Sequence, residues 1–385
     1  MTFLLVYYII SLMEIKNPKR DDYEKIVRFL EDVFGHSYNF FSYYYPHNRK
    51  KENYDFENTF IIEEDGKICS HVRVFPMDTI QNGIKVKFGG IGDVSTDYEK
   101  RGKGYMTILM NEAIKKMEKD EYPLSILWGD RHRYINFGYE YAGKIITLSI
   151  ATRGLEKTKI NSVKAKRYLG EKEVLEKIIE TYNRKNYRIE RNYDYFYEIY
   201  KKIRTATYYT EENNKFAYAV IDELGPETKI YEYGGDPLLI LGILKYLSER
   251  FGKNRFLIDF PDFSEIPEII ISSSSSWHIS PAGMIKIISL KKTIEAFLPL
   301  IEKNMKENDE ILFEIKDKEK VGIRKENGKV KFIDRSENCI ILSELEMVRL
   351  FFNVSGIGVK INEKLKNIIG SFLPINIFFP VFDHV

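Results

Sequence analysis

Lys100, Arg101, Gly102, Lys103 and Gly104 form an unbroken basic, glycine-punctuated run between an apolar, strand-like stretch and a long amphipathic helical pattern. A strand that enters a helix through Gly-x-Gly leaves several backbone N–H groups free at the helix start. With the helix dipole behind them, such donors can bind a diphosphate. The three cations would add charge. Neither common nucleotide fingerprint is present: there is no Gly-x-x-x-x-Gly-Lys-Ser/Thr, and Gly102 with Gly104 is not extended to Gly-x-Gly-x-x-Gly. On the residues alone, an anion cradle and a plain solvated helix cap both stay open.

Other reactive residues offer less. Cys69 and Cys339 are too few and too far apart for a disulfide scaffold or a clustered zinc site, and neither His nor Cys recurs at ligand spacing, so no metal is expected. The serine run at 272–276 has no histidine and carboxylate arranged around it and reads as a loop near a domain boundary. His132, in "RHR", reads as part of a polar loop, and Asp383 and His384 either shape a site or tie down the chain end.

The elements that position these residues follow from periodicity. Asp21 or Asp22 caps a helix with Ile26, Leu30 and Val33 on one face. Strand-like runs follow, punctuated by hairpin signals at Asp65-Gly66 and Asn82-Gly83. After the basic run, Met106, Leu109, Met110, Ala113, Ile114 and Met117 form one apolar stripe, and "PLSILWG" reads as a buried strand. The same order of strands and then a helix recurs from Ala151 onward, with a hairpin at Asn213-Asn214, so a degenerate structural repeat is expected. Its helix begins at Asp236-Pro237, a capping signal, instead of at a glycine-basic turn. A third, smaller α/β region runs to Val385 and stays apolar almost to its end, as an anchored terminus would.

At 385 residues, with 44% hydrophobic and 30% charged residues, the chain is long enough for two or three globular domains. Lys plus Arg number 59 against 57 for Asp plus Glu, a balance that offers neither nucleic acid nor an anionic membrane a strong basic face. Residues 1–12 lack a basic n-region and a cleavage site and fall short of the roughly 20 apolar residues of a bilayer span. They read as an extension ahead of a restart at Met13, or as an added strand or interfacial segment. A reducing cytoplasm fits the cysteine usage.

"VSTDYEKRGKGYMTILM" resembles the acyl-coenzyme A binding motif of the GNAT N-acetyltransferase superfamily, in which the strand backbone follows the pantetheine arm and the turn amides hold the pyrophosphate. Gly102 and Gly104 match that motif. Its leading Gln or Arg is Glu99 here, which would repel phosphate unless it points away. "YPLSILWGDRHRYINFGYEYAG" is similar to a passage of the enhanced intracellular survival family within that superfamily. The resemblance covers the chain after Met13 and implies an α/β (α+β) architecture of tandem GNAT folds followed by a sterol carrier protein-like domain. The expected divisions are an active GNAT domain at 13–150, a degenerate one at 151–280 and the third domain at 281–385. It further implies acetyl-CoA as acyl donor, held by Gly92, Val94, Lys100, Arg101, Gly102, Lys103, Gly104, Tyr105, Gly129 and Asp130. Tyr134 would be the general acid that protonates the leaving thiolate, and the α-carboxylate of Val385 the base. The acceptor would be a primary amine of an aminoglycoside, polyamine or lysine, beside the aromatic stretch 38–48, in a homo-oligomer such as a trimer or hexamer. A lipid-binding protein working through its third domain is the alternative.

Overall fold

The computed structural model describes residues 14–224, 227–352 and 358–384, so the 1–12 stretch and Val385 lie outside the described residues. The first sheet is built from Glu14–Lys16 (β1), Thr59–Glu64 (β2), Lys67–Gln81 (β3), Ile84–Thr96 (β4), Leu124–Leu127 (β5) and Glu140–Ala142 (β6). Asp65-Gly66 and Asn82-Gly83 join β2 to β3 and β3 to β4 with both residues at positive φ, as a tight two-residue hairpin requires. Tyr23–Phe34 (α1) and Tyr105–Lys119 (α2) accompany this sheet, with Ile26 and Leu30 of α1 and Leu109, Met110, Ala113 and Met117 of α2 buried. Gly89 in β4 lets α2 come close: a Cβ there would stand 2.3 Å from Met117 Sδ.

The next strand, Ile145–Ala151 (β7), leaves the first sheet for a second one. That sheet also contains Lys166–Arg167 (β8), Thr205–Glu212 (β10), Lys215–Asp222 (β11), Glu227–Gly235 (β12), Arg255–Phe260 (β13) and Ser276–Ser280 (β14), while Arg188–Ile189 (β9) pairs with β3 of the first. Gly283–Ile287 (β15) then returns to the first sheet and inserts between β5 and β6. The two strand orders are therefore equivalent: β1-β2-β3-β4-β5-β15-β6 and β8-β10-β11-β12-β13-β7-β14. Each module takes its penultimate strand from the other, across crossings that fall near the expected divisions at 150 and 280. In both, the fourth and fifth strands of the order run parallel, β4 with β5 and β12 with β13. The second module's helix, Pro237–Phe251 (α3), occupies the place of α2.

The remaining strands, Glu310–Ile315 (β16), Glu319–Glu326 (β17), Lys329–Ile333 (β18) and Cys339–Leu342 (β19), form a four-stranded sheet in the order β18-β17-β16-β19. Its core is continuous with the first module, joining Phe88 and Leu124 to Phe313, Phe351 and Ile377. The buried Glu140 of β6 reinforces that junction, accepting hydrogen bonds from Arg131 at 2.6 Å and from Arg349 of Glu344–Phe352 (α4) at 2.6 Å. The C-terminal tail then runs back between the modules, held by reciprocal hydrogen bonds between Gln81 and the backbone of Phe378.

Candidate acyl-coenzyme A site

A bulge in β4 opens the site. Arg73 of β3 faces Gly92 and His71 faces Ser95, so β4 carries an extra residue, and Asp93 takes a φ of +54° there. Bulges bend the strand that holds them, and pairing of β4 with β5 stops at Gly90 opposite Ile126. The Asp93 carboxylate is turned inward, where Arg49 Nη2 donates to it at 2.5 Å in a pair that is almost wholly buried. Burial resists its charge, but the Arg49 guanidinium holds its carboxyl below the usual range.

Past the bulge, Val94, Ser95 and Thr96 form one wall of a cleft of about 580 Å3, with Val33 and Phe34 of α1 opposite and the start of α2 between. Gly102 and Gly104 sit at φ of +81° and +80°, and a Cβ on either would meet nothing within 4 Å among the described residues. Glycine is required by conformation here, and the space above it is open. Gly104 is the N-cap of α2 and supplies no side-chain acceptor, so the first N–H groups of the helix face the cleft uncapped. Glu99 is exposed and does not line the cleft, and its backbone N–H donates to the Asp97 carboxylate.

The second module closes the corresponding position. Asp236 accepts hydrogen bonds from the N–H groups of Leu238 and Leu239 at 3.0 and 3.3 Å, and a Cβ on the adjacent Gly235 would lie 2.0 Å from Phe216 O. One helix mouth is filled by its own carboxylate and the other is vacant.

Of the residues expected to hold the donor, Val94, Lys100, Arg101, Gly102, Gly104 and Tyr105 line the cleft, whereas Gly92, Lys103, Gly129 and Asp130 do not. The basic charges are partly neutralised by Glu64, which sequence reasoning missed because it lies on β2. Lys100 Nζ is 2.6 Å from it and Lys103 Nζ 3.7 Å, and the Tyr105 hydroxyl donates to it as well. The hydrogen bond from Lys100 draws the Glu64 carboxyl below its usual range. Arg101 lies over the Tyr98 ring, 4.8 Å from its centre.

Tyr134 ends the short helix Arg131–Tyr134, whose N-cap Asp130 accepts the His132 N–H at 3.0 Å. The ring is buried against Gly129 and edge-on to Tyr139, while the neighbouring Arg133 lines the cleft. Burial raises the Tyr134 phenol, with Arg133 opposing, so it carries its proton at neutral pH as a general acid must.

Val385, the expected base, lies outside the described residues. The residues before it approach β5: His384 stacks on Trp128 with ring centres 4.0 Å apart, next to Gly129. Asp383 is committed elsewhere, held by Arg191 at 2.8 and 2.6 Å and by the Tyr195 hydroxyl at 3.1 Å, while Arg191 also binds Glu232 at 2.6 Å. The aromatic stretch 38–48 folds into two short helices whose ring faces are partly taken by the protein's own cations. Lys202 Nζ lies 4.6 and 4.7 Å from the ring centres of Tyr44 and Tyr45, and the Arg49 guanidinium 4.2 Å from Tyr45. His47 gave no sequence signal, yet it is buried there with no hydrogen-bond partner for either ring nitrogen among the described residues, and burial holds it neutral.

Residues 14–142 match the family model described as an acetyltransferase (GNAT) domain. That stretch is a GNAT acetyltransferase domain. No curated protein matches the chain. Solved structures extend the likeness of fold well past the GNAT domain. A GCN5-related N-acetyltransferase from Anabaena variabilis aligns at TM-score 0.71 and 14% identity over 97% of this chain and 100% of its own. A probable N-acyltransferase from Enterococcus faecalis aligns at 0.67 and 16% over 88% and 89%, and Eis1 from Mycobacterium abscessus at 0.61 and 9% over 87% and 88%. GNAT domains take acyl-CoA as donor and an amine as acceptor, and the vacant helix mouth lies within the matched residues.

Proposed function

We propose that the chain transfers an acetyl group from acetyl-CoA to a primary amine by direct attack. The observation that carries this reading is the uncapped mouth of α2, open onto a cleft beside diverging parallel strands, where the second module's counterpart is plugged by Asp236. The pyrophosphate lies on the N–H groups after Gly104, with Lys100 and Arg101 supplying charge, and the pantetheine arm follows β4 from Thr96 toward Gly92. The acceptor nitrogen attacks the thioester carbonyl, the C–N bond forms and the C–S bond breaks. Tyr134 gives its proton to the departing thiolate, and the α-carboxylate of Val385 takes the proton of the attacking amine. The approach of His384 to Trp128 supports a tail that reaches this site.

The acceptor is an aminoglycoside, polyamine or lysine amine, and the enzyme works in the cytoplasm as a homo-oligomer, a trimer or hexamer, as the family resemblance implies. The third region has the role of a sterol carrier-like domain that delivers the tail. Against lipid carriage stands its filled interior, where Phe297, Phe313, Phe351 and Phe352 are fully buried. Among the described residues no helix is long and apolar enough to cross a membrane, and no group of His, Cys, Asp and Glu is placed to hold a metal.

The test is thiol release from acetyl-CoA with polyamines, aminoglycosides and lysine peptides, comparing the intact protein with one lacking only Val385. Turnover that collapses on truncation while CoA still binds is expected. Intact protein that neither turns over nor binds CoA refutes the reading.

A further inference from the structure

The second module also opens between its parallel strands. Pairing of β12 with β13 ends at Ile230 opposite Ile258, and beyond it lies a cavity of about 270 Å3. Asp236 closes the helix mouth above, so no pyrophosphate can be seated there. What is left is a short chamber with aromatic walls, Tyr187, Tyr233, Phe260 and Phe378 among them.

Its charges are unequal. Glu232 on the wall is bound by Arg191 at 2.6 Å and by the hydroxyls of Tyr218 and Tyr200. Asp259 is bound by Lys229 at 2.5 Å and by the Thr147 hydroxyl at 2.6 Å. Glu265 accepts from Asn186 at 3.1 Å, and Arg184 pairs with Glu180. Lys185 Nζ has no hydrogen-bond or ion-pair partner among the described residues; it rests over the rings of Tyr233 and Tyr182, 4.8 and 5.4 Å from their centres. Burial pushes its ammonium down to about 8, against the pull of Glu232, so at neutral pH most of it is charged and poorly solvated. A cation in that state gains from a desolvated anion, while a second cation in the chamber would be repelled.

We propose that this cavity binds an amphipathic monocarboxylate, its carboxylate on Lys185 Nζ and its apolar body among the aromatic side chains. A water's share of volume is about 30 Å3, so the space suits a ligand of roughly ten non-hydrogen atoms, such as a medium-chain fatty acid or an arylacetic acid. A polyanion is disfavoured by the flanking Glu232 and Asp259. Phe378, Pro380 and Val381 of the tail form part of the wall, while Phe379 between them packs on Phe88 and Trp128 of the first module. An occupant therefore touches the segment that docks on the GNAT domain. The proposal is independent of the acyl-transfer reading.

Calorimetry on the full chain tests it with octanoate and phenylacetate, the matching amides, and octylamine. The acids bind at least tenfold more tightly than the amides, and the amine binds no better than the amides. In Lys185→Met the acid-to-amide ratio falls below threefold while CoA affinity is kept, and Lys185→Arg retains the preference. Acids that do not bind at millimolar concentration, amides that bind equally well, or a preference that survives in Lys185→Met each overturn it. If Lys185→Met does not fold, the acid-to-amide ratio of the intact protein decides alone.

Discussion

Gly104→Ala isolates the cradle from the fold, because the structure supplies a matched control. Gly104 and Gly66 have φ of +80° and +74°, and an added Cβ at either meets nothing within 4 Å among the described residues. Left-handed backbone costs a non-glycine residue about 1–2 kcal/mol, so both substitutions lose the same stability and neither creates a clash. They differ in what lies above them: Gly66 turns a hairpin, and Gly104 borders the cleft. A methyl at Gly104 displaces the pyrophosphate from the helix mouth. The loss of two charge-assisted hydrogen bonds at about 1.5 kcal/mol each comes to ~3 kcal/mol, or a little over a hundredfold in affinity. Urea denaturation and CoA titration by calorimetry, run on both variants, separate the two effects. Equal destabilisation with CoA affinity lost only in Gly104→Ala is the expected result. If Gly104→Ala binds CoA within threefold of the parent, the pyrophosphate does not lie on this helix mouth.

Tyr134→Phe lowers kcat by about 10²–10⁴ while CoA affinity stays within threefold, since the ring remains to pack against Gly129; steady-state kinetics with calorimetry checks the split. Arg191→Met leaves Asp383 and Glu232 buried without their cation and costs about 3–5 kcal/mol, read as denaturant stability and as faster amide exchange over residues 378–384. Burial opposes the charge of Glu140, but hydrogen bonds from Arg131 and Arg349 outweigh it and hold the carboxyl at about 2. Its folded pKa lies below the unfolded one, so its contribution is full above about pH 4.5 and is lost as pH falls toward 2. Glu140→Gln therefore flattens the acid limb of the stability profile, which pH-dependent denaturant titration measures.

The sequence carries its local signals openly, whereas contacts between distant residues leave no pattern in it. Asp65-Gly66, Asn82-Gly83 and Asn213-Asn214 turn as their dipeptides dictate, because left-handed backbone restricts which residues can sit there. The stripe from Met106 to Met117 and the capping role of Asp236 are likewise written within one or two helical turns. Glu64, by contrast, meets Lys100 only because β2 is laid beside the turn, and Arg191 meets Asp383 across 192 positions. The aromatic stretch 38–48, beside which the family resemblance puts the acceptor, has ring faces that its own chain's cations cover. No pattern there signals that Lys202 and Arg49 would occupy those ring faces. Nor does a run such as "GMIKI" say which sheet it will join, since β5 and β13 are both apolar strands with a vacancy beside them.

The strand exchange also sets an order of events during synthesis. Until residues 283–287 leave the ribosome, β5 has one unsatisfied side and β6 has no neighbour to pair with. At typical elongation rates the intervening stretch takes roughly 10–30 s to make, during which the GNAT domain carries an open apolar edge of the kind that recruits other chains. β7 meanwhile waits for β13 and β14 to be translated before it is enclosed. Neither half can therefore be cut out intact at residue 150 or 280, because each cut removes the penultimate strand of the other half's sheet. The chain matures as one interlocked unit, and the sheet of the GNAT domain is completed by a segment that belongs, in sequence, to its partner.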